Sequence, residues 1–270
     1  MPTPMAAQEL IFCQTRLLRC LLDFDDGVAS DLPKAVEGCF LFSMVWSVGA
    51  CVDGEGRRKF DLFFRAVLAG QIEQSPEYLD FKIKNPEYVA DPTREAKVPV
   101  PEGDDVYSYF FDGKQARWIN WLENRPVFKI PSDAKFNAIM VPTNDTIRNE
   151  WLVEKLLVKG YHVMATGDTG TGKSLSIKNK LLSGMPEKFN AININFSAQT
   201  TANQTQDLID SKLDKRRKGV LGPPLGMITV VFLGKQTLFL QTYYPINTHC
   251  NTLYNIPYNT LFDISLTHTP

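Results

Sequence analysis

Residues 167–174 read GDTGTGKS and match the pattern G-x-x-x-x-G-K-[ST] at every fixed position. The stretch stands between an apolar run, YHVMAT at 161–166, and a mixed run, LSIKNKLL at 175–182. A strand before such a glycine-rich loop and a helix after it are the context in which the pattern binds phosphate. The sequence therefore predicts a P-loop fold.

Each residue type in this loop has a physical role. Glycines permit backbone angles and close approaches that a Cβ would block. Successive backbone N–H groups can then point at phosphates, at the start of a helix whose dipole favours anions. Lys173 would reach the outer phosphates, and the Ser174 hydroxyl would bind Mg²⁺. Asp168 and Thr169 are expected to contribute backbone contacts only. The candidate nucleotide contacts in this stretch are Gly167, Asp168, Thr169, Gly170, Thr171, Gly172, Lys173, Ser174 and Leu175.

The segments around the loop alternate between helical and strand-like patterns. Helical segments show apolar residues at helical spacing, and short apolar runs separate them. The predicted helices span 143–160, 172–184 and 200–217, and the predicted strands span 161–166, 189–198 and 227–233. This alternation indicates an α/β fold with a parallel sheet covered by helices.

The first 75 residues carry no strand pattern and predict a helical subdomain. Apolar residues recur at near-helical spacing over 8–24, a buried helix is predicted after Pro33 over 34–52, and a third helix over 57–70. Residues 76–104 contain five prolines, which predict a connector with little regular structure.

Two short aromatic strands around a glycine turn are predicted over 106–121. Trp118, Trp121 and Trp151 are expected to be packing residues rather than a platform for stacking bases. The basic run KRRK at 215–218 is interpreted as the solvated end of a helix, where the dipole favours cations, rather than as a nucleic-acid site.

The composition is that of an ordinary globular protein, with 29 basic and 30 acidic residues among 270 and a formal net charge of −1. This balance gives no indication of nucleic acid or an acidic membrane surface as a partner. The five cysteines are odd in number and include no C-x-x-C pair, which argues against a disulfide framework or a zinc site and favours a reducing compartment. The apolar stretch at 227–240 is interrupted by Gly234, Lys235 and Gln236, so no membrane span is predicted there.

Four stretches together resemble dynein heavy chains, at the third AAA+ module of their motor ring. They are VPTNDTIRNEWLVEKLL at 141–157, the loop at 167–174, NINFSAQTTANQTQDLIDSKLDKRRKG at 193–219 and GPPLG at 222–226. The resemblance covers roughly residues 8–226 and is closer to axonemal than to cytoplasmic heavy chains.

Upstream, residues 34–68 resemble the helical lid that ends the second module, and residues 107–121 resemble the segment that links the two modules. The chain would then be a piece of a much larger motor that begins and ends inside modules. The expected parts are a helical subdomain resembling an AAA+ lid (1–75), a Pro-rich connector with an aromatic β-hairpin (76–134), a partial P-loop AAA+ core (135–233) and a divergent tail (234–270).

The resemblance implies ATP with Mg²⁺ as the ligand, and it implies that Val141, Pro142 and Thr143 lie near the adenine. The alternative interpretation of these three residues is an ordinary strand-to-helix turn. The N-K-x-D motif of GTPases is absent, because Asn179-Lys180 is followed by two leucines. In the full motor the module would be a regulatory ATP site that contacts neighbouring modules and reaches microtubules only indirectly.

The likeness fails after Gly226, where the family continues with an apolar strand that ends in paired acids. Here the strand is followed by Gly234 and Lys235, and no acidic residue occurs between Asp214 and Asp263. The carboxylates that would orient Mg²⁺ and the attacking water are therefore missing, and no catalytic residue is assigned. We expect ATP binding without useful hydrolysis.

The alternative function is non-enzymatic: a truncated product that acts only through contacts with ring-neighbour modules. Titration of the purified chain with nucleotide discriminates between the two. By resemblance the expected location is cytoplasmic, on the cytoskeleton, in the cilium or axoneme, with neither nucleic acid nor membrane as a partner.

Overall fold

The computed structural model describes residues 4–22, 31–71, 76–87, 96–123, 141–166, 171–195, 200–218, 220–234 and 261–265. Its α-helices are α1 (Pro4–Leu21), α2 (Leu32–Ser47), α3 (Gly54–Leu68), α4 (Pro76–Lys84), α5 (Asn144–Val158), α6 (Lys173–Ser183) and α7 (Ala202–Asp210). Its strands are β1 (Tyr109–Asp112), β2 (Arg117–Asn120), β3 (His162–Thr166), β4 (Phe189–Asn195), β5 (Asp214–Arg217), β6 (Val220–Gly222), β7 (Ile228–Gly234) and β8 (Leu261–Ser265).

The helical subdomain confirms the three predicted helices, with α2 at its centre. The Asp31 side chain accepts a hydrogen bond from the Lys34 N–H at 3.2 Å and so caps α2, and Pro33 stands in the first turn, where its missing N–H costs nothing. An ideal Cβ at Gly38 would lie 2.1 Å from Cζ of Phe111. Only glycine therefore lets the aromatic hairpin approach this helix so closely.

One large core, here called the lid core, joins α1, α2, the β1–β2 hairpin and α5. Phe42 of α2 is fully buried, and rings surround it: its ring centroid lies 5.6 Å from that of Trp151 and 6.3 Å from that of Trp121. The indole N–H of Trp121 donates to the Tyr107 carbonyl at 3.1 Å, and that of Trp118 donates to the Val98 carbonyl at the same distance. The tryptophans are packing residues, as predicted.

The segment Leu32–Cys51 is long and apolar enough to span a membrane by length and composition alone. Most of this segment is buried within the fold, and Phe42, Val45 and Trp46 lie in the core that α2 shares with its neighbours. This burial is what a central core helix requires.

Arg65 of α3 fastens the connector to the helical subdomain. Its guanidinium binds the Asp61 carboxylate at 2.9 Å and donates to the carbonyls of Val100, Pro101 and Asp104 at 3.3, 2.8 and 2.7 Å. The same Asp61 oxygen accepts the N–H of Val106 at 3.0 Å. These hydrogen bonds attach residues 100–106, at the end of the connector, to α3.

The P-loop part contains the predicted strands and helices in the predicted order. β4 pairs with β7 in parallel, with Asn195 opposite Gly234, and β3 pairs with β8 in parallel. A separate small core contains Ile192, Ile194 and Ile209, with Leu213 and Val231 packed against it. Within the described residues these strands form two-stranded sheets rather than one continuous sheet, so the incomplete parallel core is observed.

Two predicted segments have a different structure. The connector was predicted to have little regular structure, but it begins with helix α4; Pro76 stands at the first helical position, where proline is favoured. The predicted helix over 200–217 ends at Asp210, and the basic run lies on β5, which pairs with β6 in an antiparallel hairpin. The interpretation of KRRK as a helix end is therefore wrong: all four side chains are exposed on a β-hairpin.

The predicted divergent tail contains one described strand. β8 lies parallel to the P-loop strand β3, with Asp263 opposite Met164 and Ser265 opposite Thr166 as Cα partners. The remaining tail residues, 235–260 and 266–270, lie outside the described part of the chain.

Candidate functional site

The start of α6 is the centre of the candidate site. Gly172 precedes the helix with φ = 77°, in the left-handed region that glycine adopts without cost. An ideal Cβ there meets no atom within 4 Å, so the backbone angle and not space makes glycine suitable. Among the described residues, no side chain caps the first turn of α6. Its first backbone N–H groups therefore remain available to an anion.

Lys173 and Ser174 are placed at this helix start. The Lys173 ammonium donates to the Thr171 hydroxyl at 2.9 Å, which holds the lysine side chain on the loop side of the helix. Lys173 is partly buried, whereas Ser174 is exposed, and Leu175 keeps 61% of its surface exposed. A cation beside uncapped N–H groups suits a phosphate, and an exposed hydroxyl suits a hydrated metal ion.

A cleft lies between the first turns of α5 and the start of α6. It is lined by Asp145, Thr146, Asn149, Glu150, Val153, Ala165, Thr171, Lys173, Ser176, Ile177 and Lys180. The sequence reasoning did not identify the polar α5 residues of this cleft. Their signal was present in the one-turn spacing of Asp145 and Asn149, which places both on one face of a helix.

The three residues predicted to lie near the adenine stand immediately before α5. Val141, Pro142 and Thr143 are all exposed. Thr143 caps α5 in a reciprocal box: its hydroxyl accepts the Thr146 N–H at 3.3 Å, and its own N–H donates to the Thr146 hydroxyl at 2.8 Å. The cap fixes this turn next to the cleft that Lys173 lines.

Of the predicted loop residues, the structure brings Thr171, Gly172, Lys173, Ser174 and Leu175 together at the start of α6. The other four, Gly167, Asp168, Thr169 and Gly170, lie outside the described residues.

The carboxyl end of β7 carries no acidic side chain. Gly234 ends the strand opposite Asn195, and an ideal Cβ at Gly234 would lie 3.0 Å from the Asn195 amide oxygen. That oxygen accepts a hydrogen bond from the Lys178 ammonium at 3.2 Å. A neutral amide and a cation therefore lie beside the end of β7.

The acid nearest the start of α5 is engaged in an ion pair. The Arg148 guanidinium contacts the Asp145 carboxylate and also lies 5.5 Å from the centre of the Trp46 ring. Burial, together with the nearby positive charge of Arg57, lowers the pKa of Arg148 to about 10. Arg148 remains charged at neutral pH and compensates the negative charge of the Asp145 carboxylate.

The described part of the chain contains no set of protein ligands that could enclose a metal ion. No group of three or more His, Cys, Asp or Glu side chains there could hold a metal ion. A Mg²⁺ ion at this site would be held by the Ser174 hydroxyl, the bound phosphates and water, which is the way Mg²⁺ commonly binds beside a nucleotide.

Two family models match the chain on either side of the connector. Residues 2–123 match the model described as the dynein heavy chain AAA lid domain. Residues 128–235 match the model described as the P-loop containing dynein motor region. The likeness therefore begins earlier than expected and continues through β7, beyond Gly226.

Similar proteins include axonemal dynein heavy chains of mammals. The chain is 40% identical over 217 residues to dynein axonemal heavy chain 1 of Mus musculus, an alignment that covers 79% of this chain and 5% of that protein. It is 36% identical to dynein axonemal heavy chain 12 of Homo sapiens over 73% of this chain and 6% of that protein. It is 38% identical to dynein axonemal heavy chain 3 of Homo sapiens over 83% of this chain and 6% of that protein.

The chain thus spans about a twentieth of the length of these curated relatives. The two models follow one another along the sequence in the order lid and then P-loop, which is the order of the two cores in the structure. The chain belongs to the dynein heavy chain family, of which it contains an AAA lid followed by a P-loop motor region.

Proposed function

We propose that this chain binds Mg²⁺–ATP at the start of α6 and retains it without useful turnover. The observation that carries the proposal is a contrast: Lys173 and Ser174 stand at an uncapped helix start, whereas β7 ends at Gly234 without an acidic side chain. Binding and hydrolysis require different residues: the loop motif supports binding, and the absence of an acid in β7 argues against hydrolysis.

Binding would use the loop backbone and the first turn of α6. The N–H groups and the Lys173 ammonium would hold the phosphates, and the Ser174 hydroxyl would contribute one oxygen to Mg²⁺. Val141, Pro142 and Thr143 would contact the adenine, because Thr143 caps α5 through Thr146, which lines the cleft.

Hydrolysis would also require an oriented water and compensation for the charge that develops on the transferred phosphoryl group. A protonated lysine at 235 cannot bind Mg²⁺ or accept a proton. An arginine supplied by a neighbouring module would be needed as well, and such an arginine is typically worth about 10³ to 10⁵ in rate. The isolated chain is therefore expected to release phosphate very slowly.

In the intact heavy chain we assign this region to the end of the second and the start of the third AAA+ module. The nucleotide would serve a regulatory purpose there, and the neighbouring modules of the ring would be its direct partners. Microtubule-based movement would belong to the whole motor, and the axonemal names of the relatives favour the cilium as its location.

The first experiment compares Lys173→Ala with the parent chain in equilibrium dialysis against labelled ATP and Mg²⁺. Loss of a charge-assisted contact worth about 1.5 to 3 kcal/mol should weaken binding roughly 10- to 100-fold. Lys59→Ala is the matched control, because Lys59 lies on α3 in an exposed ion pair with Glu55. A Lys173→Ala chain that binds ATP as tightly as the parent would refute the site.

The second experiment measures phosphate release from the parent chain with excess Mg²⁺–ATP. Steady turnover of about one per second, the lower end of the range for protein kinases, would contradict the loss of hydrolysis, provided that Lys173→Ala abolished the turnover. A parent chain that binds no nucleotide at all would favour the non-enzymatic alternative, in which the chain acts only by contacting its neighbours.

A further inference from the structure

An ion pair joins the phosphate-binding helix to the helix before it. The Lys180 ammonium of α6 lies 2.6 Å from a Glu154 carboxylate oxygen of α5, and the two side chains are only 16% and 30% exposed. The pair Glu55–Lys59 is different, since both partners lie on α3 and are about two-thirds exposed. A partly desolvated pair between two elements constrains their relative position far more than an exposed pair within one helix.

On the α5 side, Glu154 stands on a helix that is fixed in the large aromatic core. Leu152 and Leu156, two residues before and after it, are 1% and 0% exposed. Trp151 of the same helix packs edge-on against Phe42 of α2. Glu154 therefore stands on a helix whose apolar face belongs to the larger of the two described cores.

On the α6 side, Lys180 lies two turns after Lys173 on a helix with little apolar packing. Only Ser176 and Leu181 of α6 are buried, whereas Leu175 and Leu182 are 61% and 70% exposed. Because few apolar contacts hold α6, a strong polar contact has a large share in fixing its position.

We propose that Glu154 and Lys180 form a positioning pair that holds the phosphate-binding helix against α5 and transmits nucleotide binding to the lid core. This inference rests on the proposed ATP site. A ligand that draws the start of α6 towards its phosphates moves Lys180 with the helix, and the ion pair passes that displacement to α5 and its tryptophan. Without the pair, α6 can adjust to the nucleotide independently of the lid.

The positions of the tryptophans provide a readout. All four tryptophans of the chain, Trp46, Trp118, Trp121 and Trp151, lie in or against the lid core, and none belongs to the nucleotide site. Intrinsic tryptophan emission therefore reports the lid core, while equilibrium dialysis with labelled ATP reports binding. Together, the two measurements show whether a variant has lost ATP binding or has lost the effect of ATP binding on the lid core.

The test uses the full 270-residue chain with Mg²⁺–ATP as the probe. In the parent, binding should change the tryptophan emission. Glu154→Gln and Lys180→Met should lose most of this change. In Glu154→Gln, which alters no residue of the cleft lining, the dissociation constant should rise by less than about tenfold. The exchange variant with both Glu154→Lys and Lys180→Glu should recover the response, and Glu55→Gln is the matched control that should retain it.

Several results would overturn the inference. One is binding by the parent with no change in emission; another is a Glu154→Gln chain that keeps the full emission change. If a single variant failed to fold by far-UV circular dichroism, the exchange variant would decide, because loss of the response in a folded exchange variant contradicts a role for the pair. A parent that binds no ATP in dialysis refutes the ATP site itself, and with it the coupling.

Discussion

The two halves of the chain are held together very differently. The lid core combines α1, α2, the aromatic hairpin and α5 around side chains such as Phe42 and Tyr107, which are 0% and 1% exposed. The P-loop half has a core of three buried isoleucines between β4, β7 and α7. Among the described residues the larger core is that of the lid half, and the candidate nucleotide site stands on the half with the smaller core, which is expected to open more easily.

The difference has a structural consequence for α5. This helix precedes the P-loop strand in sequence, yet Ile147, Leu152 and Leu156 are buried in the lid core. The lid and the first helix of the P-loop region are therefore expected to unfold together, while α6, β4 and β7 form a second unit.

The largest predicted effect is in the lid core. Phe42→Ala should lower the free energy of unfolding by about 4 kcal/mol, because it leaves a large cavity among four aromatic rings. Phe40→Ala is the matched control two residues away, where the ring is 41% exposed and the loss should be under about 1 kcal/mol. Urea unfolding followed by tryptophan emission measures both; equal losses would contradict the central position of Phe42.

The second prediction tests the separation of the two units. Ile194→Ala should destabilise the P-loop half by about 3 kcal/mol, since this side chain is 2% exposed in a core of three. The unfolding midpoint seen by far-UV circular dichroism should fall, while that seen by tryptophan emission should not. A parallel fall of both midpoints would show that the chain unfolds as one cooperative unit.

The sequence predicted those elements whose pattern is local. α5 and the start of α6 after Gly172 were predicted correctly, because apolar spacing, a capping residue and the glycines of the motif can be recognised in the sequence. The hairpin at 214–222 was not, because its residues are almost all exposed and show no apolar alternation. The strand at 261–265 gave no signal either, since its parallel pairing with β3 depends on residues a hundred positions away.

The candidate site was predicted in the same uneven way. Lys173 and Ser174 follow from a motif, whereas the contribution of Asn149 to the cleft depends on how α5 packs against α6. The ion pair between Glu154 and Lys180 depends on the same packing. Side chains brought together by tertiary contacts leave no fixed spacing in the sequence.

The third prediction concerns polar contacts in the lid half. Arg65→Met should cost about 2 kcal/mol, because Asp61, 15% exposed, loses its ionic partner and three connector carbonyls lose a donor. Lys59→Met removes a pair in which both partners are about two-thirds exposed and should cost under about 0.5 kcal/mol. Thermal unfolding midpoints of the two variants give the comparison; equal shifts would refute the role of Arg65 as the connector's anchor.

The smallest predicted effect is a loss of stability at alkaline pH that arises from buried thiols in the lid core. Burial, together with the nearby Asp112 carboxylate, raises the pKa of Cys39 from 9.0 to about 12. The unfolded chain releases this proton from about pH 9, whereas the folded chain retains it, so the folded state binds more protons in this range. Stability from Cys39 is therefore fully present below about pH 9 and is lost as the pH rises towards 12, by roughly 1 kcal/mol at about pH 10.

The measurement is urea unfolding of the parent and of Cys39→Ala at about pH 8 and about pH 10. Cys39→Ala creates a small cavity, so the comparison uses the change between the two pH values and not the absolute stability. That change should be smaller in Cys39→Ala than in the parent, and Cys51→Ala, which alters an exposed cysteine, should behave as the parent does. Ionisation of tyrosines and lysines affects all three chains alike. An equal change in the parent and Cys39→Ala would mean that the thiol at Cys39 reaches solvent in the folded state, and the lid core would then be less tightly closed than its burial indicates.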